Sequence, residues 1–93
     1  MEKFPMGRLL VTRGVNDRRA EEEPFAKFVL DSLNRHAMGD WGDLCAEDRQ
    51  ENERSLNGGC RLLSAYEKDD LPKIWIITEA DRSVTTVLFP EEY

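Results

Sequence analysis

The clearest hydrophobic pattern in the chain lies between residues 22 and 39. Phe25, Val29 and Leu33 recur at the spacing of one face of an α-helix, and charged or polar side chains fill many of the positions between them. Glycine is common just after the last turn of a helix, and Gly39 stands at that point. The pattern therefore predicts an amphipathic helix of about four turns.

A second helix is predicted over residues 44–56, and its polarity is unusual. Its inner face is expected to contain Leu44 and Leu56, because these are its main apolar anchors. Asp48 and Asn52 lie between them on the same face, at successive intervals of four residues. Buried polar groups are costly unless they are paired, so either both side chains have dedicated partners or the helix attaches only loosely.

The last third of the chain changes to the two-residue period of β-strands. Three β-rich runs, at residues 61–66, 73–78 and 84–89, are separated by turn-like segments. Apolar side chains lie on both faces of the middle run, which indicates a central strand. A shorter apolar run at residues 8–12 is a candidate first strand.

These elements together predict the fold class. We expect a single α+β domain over residues 1–93, in which two helices pack on one face of a three- to four-stranded antiparallel sheet. The length fits one domain and leaves little room for a second. So small a core has little stability to spare, which strengthens the expectation that Asp48 and Asn52 have specific partners.

Charge narrows the classes of function. The chain carries 13 Lys and Arg against 19 Asp and Glu, a formal net charge of −6. It shows no basic stripe of the kind that binds nucleic acids, so direct nucleic-acid binding is not expected. Residues 40–54 alone hold six acidic and two basic side chains, a net charge of −4. The negative charge is therefore concentrated on the connector after the first predicted helix and on the second predicted helix.

Signals for targeting and for cofactors are missing from the sequence. No apolar run approaches the roughly 20 residues that span a bilayer, and residues 1–10 lack the apolar core of a signal peptide. We therefore expect a cytoplasmic protein outside the membrane, with Cys45 and Cys60 as free thiols. His36 is the only histidine, and no Cys-x-x-Cys pair or glycine-rich phosphate motif occurs, so neither a structural zinc site nor a cofactor is expected. A divalent cation on Asp40, Asp43, Asp48 and Glu79 is the less favoured alternative, because their spacing matches no calcium loop.

Two polar clusters are the candidates for chemistry. One surrounds the connector after the first predicted helix, and the other lies in the last turn before residue 84. If the helices cover the sheet, the two clusters would meet at one end of the domain. The side chains are His36, Asp40, Trp41, Asp43 and Asp48 in the first cluster, and Glu79, Asp81, Arg82 and Ser83 in the second.

A catalytic hypothesis uses three of these side chains. His36 would be the general base or acid, Glu79 the partner acid and Arg82 the phosphate anchor of a small metal-independent ribonuclease of the toxin type. The net charge of −6 opposes this hypothesis, because it should repel RNA. A lone histidine at a helix end is more often a partner of the helix dipole or a packed residue, so enzymatic activity is the less favoured interpretation.

A binding hypothesis uses a wider set of residues. Trp41 would be an exposed recognition aromatic or, alternatively, would fold back over the core with its indole N–H bonded. The acidic second helix would imitate the phosphates of DNA, as anti-restriction proteins do, or would be a solvated face. The candidate binding residues are Asp40, Trp41, Asp43, Asp48, Asn52 and Asp81.

Several segments together resemble a known bacterial family. They are residues 35–43 (RHAMGDWGD), 61–66 (RLLSAY), 75–83 (WIITEADRS) and 88–93 (LFPEEY). The combination is similar to small bacterial proteins usually called plasmid-related, some of which carry the label type I restriction endonuclease subunit M. The resemblance implies an association with mobile elements and brings no catalytic residues. A DNA methyltransferase needs a cofactor-binding domain, which 93 residues without a glycine-rich loop do not supply.

The leading hypothesis from the sequence is a small bacterial accessory protein of mobile-element type that binds a protein or a small ligand. Its basis is a polar, Trp-containing connector in a chain without a recognisable catalytic motif. The toxin-type ribonuclease and the acidic anti-restriction DNA mimic are the alternatives. The sequence leaves the partner and the oligomeric state open, and only a structure can show whether the two polar clusters meet in one pocket.

Overall fold

Eight secondary-structure elements follow one another along residues 2–93, the part of the chain that this computed structural model describes. The helices stand between the first strand and the remaining three strands, which confirms an α+β fold. The elements are β1 (Arg8–Val11), α1 (Arg13–Glu21), α2 (Glu23–Ala37), α3 (Ala46–Gly58), β2 (Leu62–Lys68), β3 (Leu71–Thr78), β4 (Val84–Leu88) and a short 3-10 helix (Pro90–Glu92).

Within residues 2–93, four strands form one mixed sheet in the order β1-β4-β3-β2. The last three strands are an antiparallel meander, and β3 pairs on both sides, which confirms that it is a central strand. The first strand is parallel to β4, with Arg8 opposite Val84. The prediction of a wholly antiparallel sheet is therefore wrong at this edge. Parallel partners lie far apart in the sequence, so no local turn signal indicates them.

Three α-helices, rather than the predicted two, occur in residues 2–93. The additional helix, α1, begins after Thr12, whose Oγ1 accepts a hydrogen bond of 3.3 Å from the N–H of Val15. It ends before Glu22, and α2 follows with Pro24 in its first turn. Proline lacks an N–H and its ring clashes with the preceding turn, so one continuous helix cannot pass this point. The hydrophobic pattern missed α1 because Val15 is its only buried residue.

The main core lies between the sheet and the helices α1 and α2. On the sheet side, β3 contributes Ile74 and Ile76, which are both fully buried. On the helix side, α2 contributes Phe25 and Val29 from one face, which confirms the predicted amphipathic helix. The buried residues of this core are Val15, Phe25, Phe28, Val29, Tyr66, Ile74, Ile76 and Val87.

The third helix covers an edge of the sheet instead of its face. α3 bonds to the side of β2 that points away from β3. Its predicted anchors Leu44 and Leu56 are partly buried against a second cluster, formed by Phe4, Trp41 and Leu62. The arrangement explains why so polar a helix is held in place: it needs only a narrow apolar contact beside the strand.

The opposite face of the sheet carries the side chain of Tyr93. Its ring packs edge-on against Trp75, with 5.6 Å between the ring centroids. The guanidinium of Arg61 lies 5.3 Å from the centre of the Tyr93 ring and also donates to its hydroxyl. Tyr93 thereby links β3 to the start of β2 across this face.

Candidate functional site

The connector between α2 and α3 runs along the free edge of β2. The N–H of Ala65 donates to the carbonyl of Trp41 at 3.3 Å, and the N–H of Asp43 donates to the carbonyl of Ala65 at 2.7 Å. Gly42, between them, has a φ of +75°, and a Cβ at this position would overlap the Ala65 carbonyl oxygen. Only glycine permits this approach, so the polar connector is held against the strand by its backbone.

Two of the predicted binding residues complete the cover of this edge. Asp43 accepts a hydrogen bond of 2.9 Å on Oδ2 from the N–H of Glu67. Asn52, which is 5% exposed, donates from Nδ2 to the Leu63 carbonyl at 2.6 Å and accepts from the Leu63 N–H at 3.2 Å. The expectation of a dedicated partner for Asn52 is confirmed. Both side chains pair with backbone groups that an edge strand would otherwise leave open.

Asp48 does not point into the core, so the expectation that it is buried is wrong. It is exposed, because α3 lies along an edge and this position faces solvent. Asp48 lines a cavity of about 270 Å³ between α3 and the start of β2, which we call the α3 cleft. The lining residues are Leu44, Asp48, Glu51, Asn52, Ser55, Cys60, Arg61 and Leu63.

Asp40 is tied to the last turn of α2. The Nε and Nη2 atoms of Arg35 donate to its two carboxylate oxygens at 2.7 and 3.2 Å. This hydrogen bond from Arg35, helped by the N–H of Gly42, holds the pKa of Asp40 below its usual value. The Asp40 carbonyl accepts a hydrogen bond of 2.6 Å from the hydroxyl of Tyr66. The ion pair is about half exposed, so Asp40 positions the connector more than it stabilises the fold.

His36 is fully buried near the end of α2 and is hydrogen-bonded to a series of buried hydroxyl groups, which we call the histidine chain. Its Nδ1 lies 2.5 Å from Oγ of Ser64, and its Nε2 lies 2.9 Å from Oγ1 of Thr78. The hydroxyl of Thr78 is 2.7 Å from that of Thr85, which donates to the carbonyl of Met6 at 2.6 Å. The chain of hydrogen bonds thus connects α2, three strands and the segment before β1.

The direction of donation along this chain determines the tautomer of His36. Thr85 donates its only hydroxyl proton to a backbone carbonyl, so the hydroxyl of Thr78 donates to Thr85 and accepts from Nε2–H of His36. Nδ1 is then unprotonated and accepts from Ser64. Burial, and secondarily the positive charge of Arg82, lower the pKa of His36 to about 4. The imidazole is therefore neutral and fully paired at neutral pH.

Arg82 directs its guanidinium at backbone carbonyls. Nη2 donates to the carbonyl of Ser55 at 2.7 Å, and Nη1 donates to those of Cys60 and Glu79 at 2.7 and 3.1 Å. The Ser55 carbonyl also accepts the N–H of the capping Gly59 at 3.3 Å, so Arg82 is its second donor and places a positive charge at the C-terminal end of the α3 dipole. Arg82 thus joins the end of α3 to the last turn of the chain.

The last turn holds the remaining predicted residues of the second polar cluster. Oδ1 of Asp81 accepts from the N–H and the hydroxyl of Ser83 at 3.0 and 2.5 Å, which closes the turn. The carboxylate of Glu79 is exposed and makes no hydrogen bond or ion pair within residues 2–93. Of the three catalytic candidates, His36 is buried, Arg82 bonds to carbonyls and Glu79 faces solvent, so they do not share an exposed pocket.

Trp41 folds back over the core, which is one of the two predicted alternatives. It is 4% exposed, stacks on Phe4 at 6.2 Å between centroids, and meets His36 edge-on at 5.7 Å. Its indole N–H donates to Oε2 of Glu53 at 2.7 Å. The aromatic ring therefore closes the second core cluster and is not available as an exposed recognition group.

Sequence reasoning missed several polar residues around these sites. Ser64, Thr78 and Thr85 are buried partners of the histidine chain, and each stands at an inward position of its strand. A polar residue at an inward position is the signal that could have found them. Cys60 and Arg61 were missed because they reach the α3 cleft only through the packing of α3 beside β2.

No protein-family model matches the chain, and no curated protein or solved structure is significantly similar to it. Within residues 2–93, no helix is long and apolar enough to span a membrane. The same residues contain no group of three or more His, Cys, Asp or Glu side chains placed to hold a metal ion. Cys45 and Cys60 are exposed free thiols, as predicted.

Proposed function

We propose that this chain is a cytoplasmic accessory protein without catalytic activity that binds another protein through the α3 cleft. The observation that carries the proposal is the exposed carboxylate of Asp48 in this cleft, which has no hydrogen bond or ion pair within residues 2–93. The free thiols of Cys45 and Cys60 fit a reducing compartment. The resemblance to plasmid-related proteins supports a bacterial mobile element as the setting.

The α3 cleft favours a basic side chain of a partner protein. It places the apolar side chains Leu44 and Leu63 beside the unpaired acidic Asp48, while its second acidic residue, Glu51, is paired with Arg54. A Lys or Arg side chain matches this pattern, because its stem packs on apolar groups while its charged end pairs with a carboxylate. At about 270 Å³ the cavity is below the usual size of a small-molecule pocket, so the proposal commits to a protein partner.

The charge around the cleft supports the same class of partner. The segment 40–54 has six acidic and two basic side chains, a net charge of −4. Such a surface attracts a basic segment and speeds its association at low ionic strength.

Two observations make the alternatives less favoured. A general acid or base must reach the proton that it transfers, and the buried imidazole of His36 faces two hydroxyl groups of its own chain. On α3, Glu51 pairs with Arg54 at 2.9 Å, and Glu53 accepts from the indole of Trp41. These contacts reduce the unpaired negative charge that a DNA mimic would present.

The proposal is tested with tagged full-length protein as bait in a bacterial lysate, followed by calorimetry with each purified hit. The decisive variant is Asp48→Lys, which reverses the charge inside the cleft. The matched control is Asp17→Lys, which makes the same charge change at an exposed position on α1. We expect a partner that binds the wild type and the control equally, and the Asp48 variant at least about tenfold more weakly.

Other outcomes would contradict the proposal in distinguishable ways. A partner that binds the Asp48 variant as tightly as the wild type would place the interface elsewhere. Cleavage of RNA by the purified chain, with no captured protein, would support the ribonuclease instead. Inhibition of a restriction enzyme at low salt, unchanged by Asp48→Lys, would support the DNA mimic.

A further inference from the structure

The two edges of the sheet differ in whether the outward backbone groups of the edge strand are paired. At the β2 edge, the connector and Asn52 pair with the outward backbone groups of the strand. At the β1 edge, no strand of residues 2–93 lies on the outer side. The sheet thus has one closed edge and one open edge.

The backbone of the open edge presents a regular set of hydrogen-bonding groups. The N–H groups of Arg8 and Thr12 donate toward β4, to the carbonyls of residues 83 and 87, at 2.9 and 3.0 Å. In a strand with a parallel partner, successive residues direct their backbone groups to opposite sides. Leu9 and Val11 therefore direct one N–H and one carbonyl each away from the sheet.

The side chains of β1 do not protect this edge. Leu9 is 55% exposed and Leu10 is 41% exposed, and alternation along the strand places them on opposite faces of the sheet. Edge strands of soluble proteins are usually guarded by short length, charged side chains, proline or a bulge. β1 is short but has no proline and no bulge, and its only charged side chain, Arg8, stands at its first residue, so the positions Leu9 to Val11 have no such guard. An apolar edge with open backbone groups is the kind of surface that another strand covers.

We propose that β1 pairs in antiparallel orientation with β1 of a second copy of this chain, around a two-fold axis at Leu10. In this register Leu9 lies opposite Val11 of the partner subunit, and Val11 lies opposite Leu9 of the partner subunit. Both are the residues whose backbone groups point outward, so the two pairs form four N–H···O bonds. Leu10 meets its own copy across the axis, and the sheet becomes a continuous eight-stranded sheet.

The same register brings opposite charges together. Arg8 lies opposite Thr12 of the partner subunit, and in each copy the Thr12 hydroxyl donates to the carboxylate of Glu92 at 2.6 Å. The guanidinium of Arg8 makes no hydrogen bond or ion pair within residues 2–93. Each Arg8 thus reaches Glu92 of the partner subunit, and the two-fold axis makes the contact twice. This charge complementarity is the reason for assigning the edge to a second copy rather than to a foreign strand.

The first test measures association in solution. Sedimentation velocity of the wild-type protein over a wide concentration range is expected to show a monomer–dimer equilibrium that weakens with added salt. Leu10→Lys places two like charges across the axis and is expected to raise the dissociation constant at least about tenfold. Leu30→Lys is the matched control, because Leu30 is an exposed leucine on α2, at 59% against 41% for Leu10, and it should leave the dimer unchanged.

The second test determines the register in which β1 pairs with β1 of the second copy. In a background with Cys45→Ser and Cys60→Ser, Leu10→Cys brings two Cα atoms to about 4.5 Å across the axis, which permits a disulfide. Leu9→Cys places the two equivalent Cα atoms at about 8 to 9 Å, beyond the reach of a disulfide. Rapid oxidation to a covalent dimer is therefore expected for Leu10→Cys and not for Leu9→Cys.

Three results would overturn the inference. A wild-type protein that stays monomeric at all concentrations, or a dimer that survives Leu10→Lys, would show that β1 does not pair with itself. Cross-linking through Leu9→Cys in preference to Leu10→Cys would exclude this register. A monomer that captures another protein, and loses it in Leu10→Lys, would assign the edge to a foreign strand. None of these results depends on the α3 cleft, which lies at the opposite edge of the sheet.

Discussion

Protonation of His36 is expected to destabilise the fold in mildly acidic solution. The imidazole has a pKa of about 4 in the folded chain, against the ordinary value of 6.5 that applies when the chain unfolds. Between these values the unfolded chain binds a proton that the folded chain does not. The free energy of unfolding therefore falls as the pH falls from about 6.5 toward about 4, and it is constant with respect to this group at higher pH.

The size of the effect follows from the two pKa values. The two pKa values differ by about 2.5, which corresponds to about 3 kcal/mol for the complete titration. About 2 kcal/mol of this is lost between pH 7 and pH 5. Small domains have a total stability of about 5–15 kcal/mol, so the loss is large enough to measure directly.

The assay compares the wild type with His36→Gln by urea unfolding at several pH values, followed by tryptophan fluorescence. Glutamine keeps an amide donor and acceptor for Ser64 and Thr78 but does not titrate. The variant is expected to be less stable at pH 7, and the gap is expected to shrink by about 2 kcal/mol at pH 5. Carboxylates such as Asp40, whose pKa the hydrogen bond from Arg35 lowers, titrate below this pH range and are the same in both proteins. Parallel stability profiles for the two proteins would refute the reasoning.

Two further predictions concern the closed edge of the sheet, and unfolding in urea tests both. Gly42→Ala is expected to cost more than about 2 kcal/mol, because it combines a left-handed conformation with steric overlap, whereas Gly59→Ala, with a φ of +74° and open space around it, should cost only about 1 kcal/mol. Asn52→Ala is expected to cost about 1–3 kcal/mol by leaving strand groups unpaired, while the exposed Asn57→Ala should stay within about 0.5 kcal/mol. Equal losses within either pair would contradict the account of this edge.

The edge residues show why polarity alone is a weak guide to function. Asp43 and Asn52 had the character of binding residues, because they are polar side chains in an acidic segment next to a tryptophan. In the folded chain they bind the backbone of β2, at distances of 2.6 to 3.2 Å. A side-chain amide or carboxylate can replace the backbone hydrogen-bonding groups that a neighbouring strand would supply. The sequence alone does not distinguish this use from ligand binding.

Asp48, in the α3 cleft, is the opposite case: its side chain is exposed and makes no hydrogen bond with the backbone of β2. The helical spacing predicts an inward position for Asp48, whereas in the folded chain it is exposed and lines the α3 cleft. Leu44 and Leu56 are both partly buried as predicted, but Leu44 precedes α3, which begins at Ala46. The error lay in assuming that one face of the helix is buried along its whole length, because Asn52 and Ser55 are buried whereas Asp48, one turn earlier, lines the open cleft.

The sequence by itself determined the elements whose pattern is local. The face of α2 and the central position of β3 follow from spacing, because neighbours within about four residues produce those patterns. Only the tertiary structure decided the parallel pairing of β1, the presence of α1 with its single buried residue, and the roles of the polar residues. The hydrogen bonds of the histidine chain join residues 28, 42 and 79 positions apart in the sequence. Such partners are selected by packing, which no local pattern records.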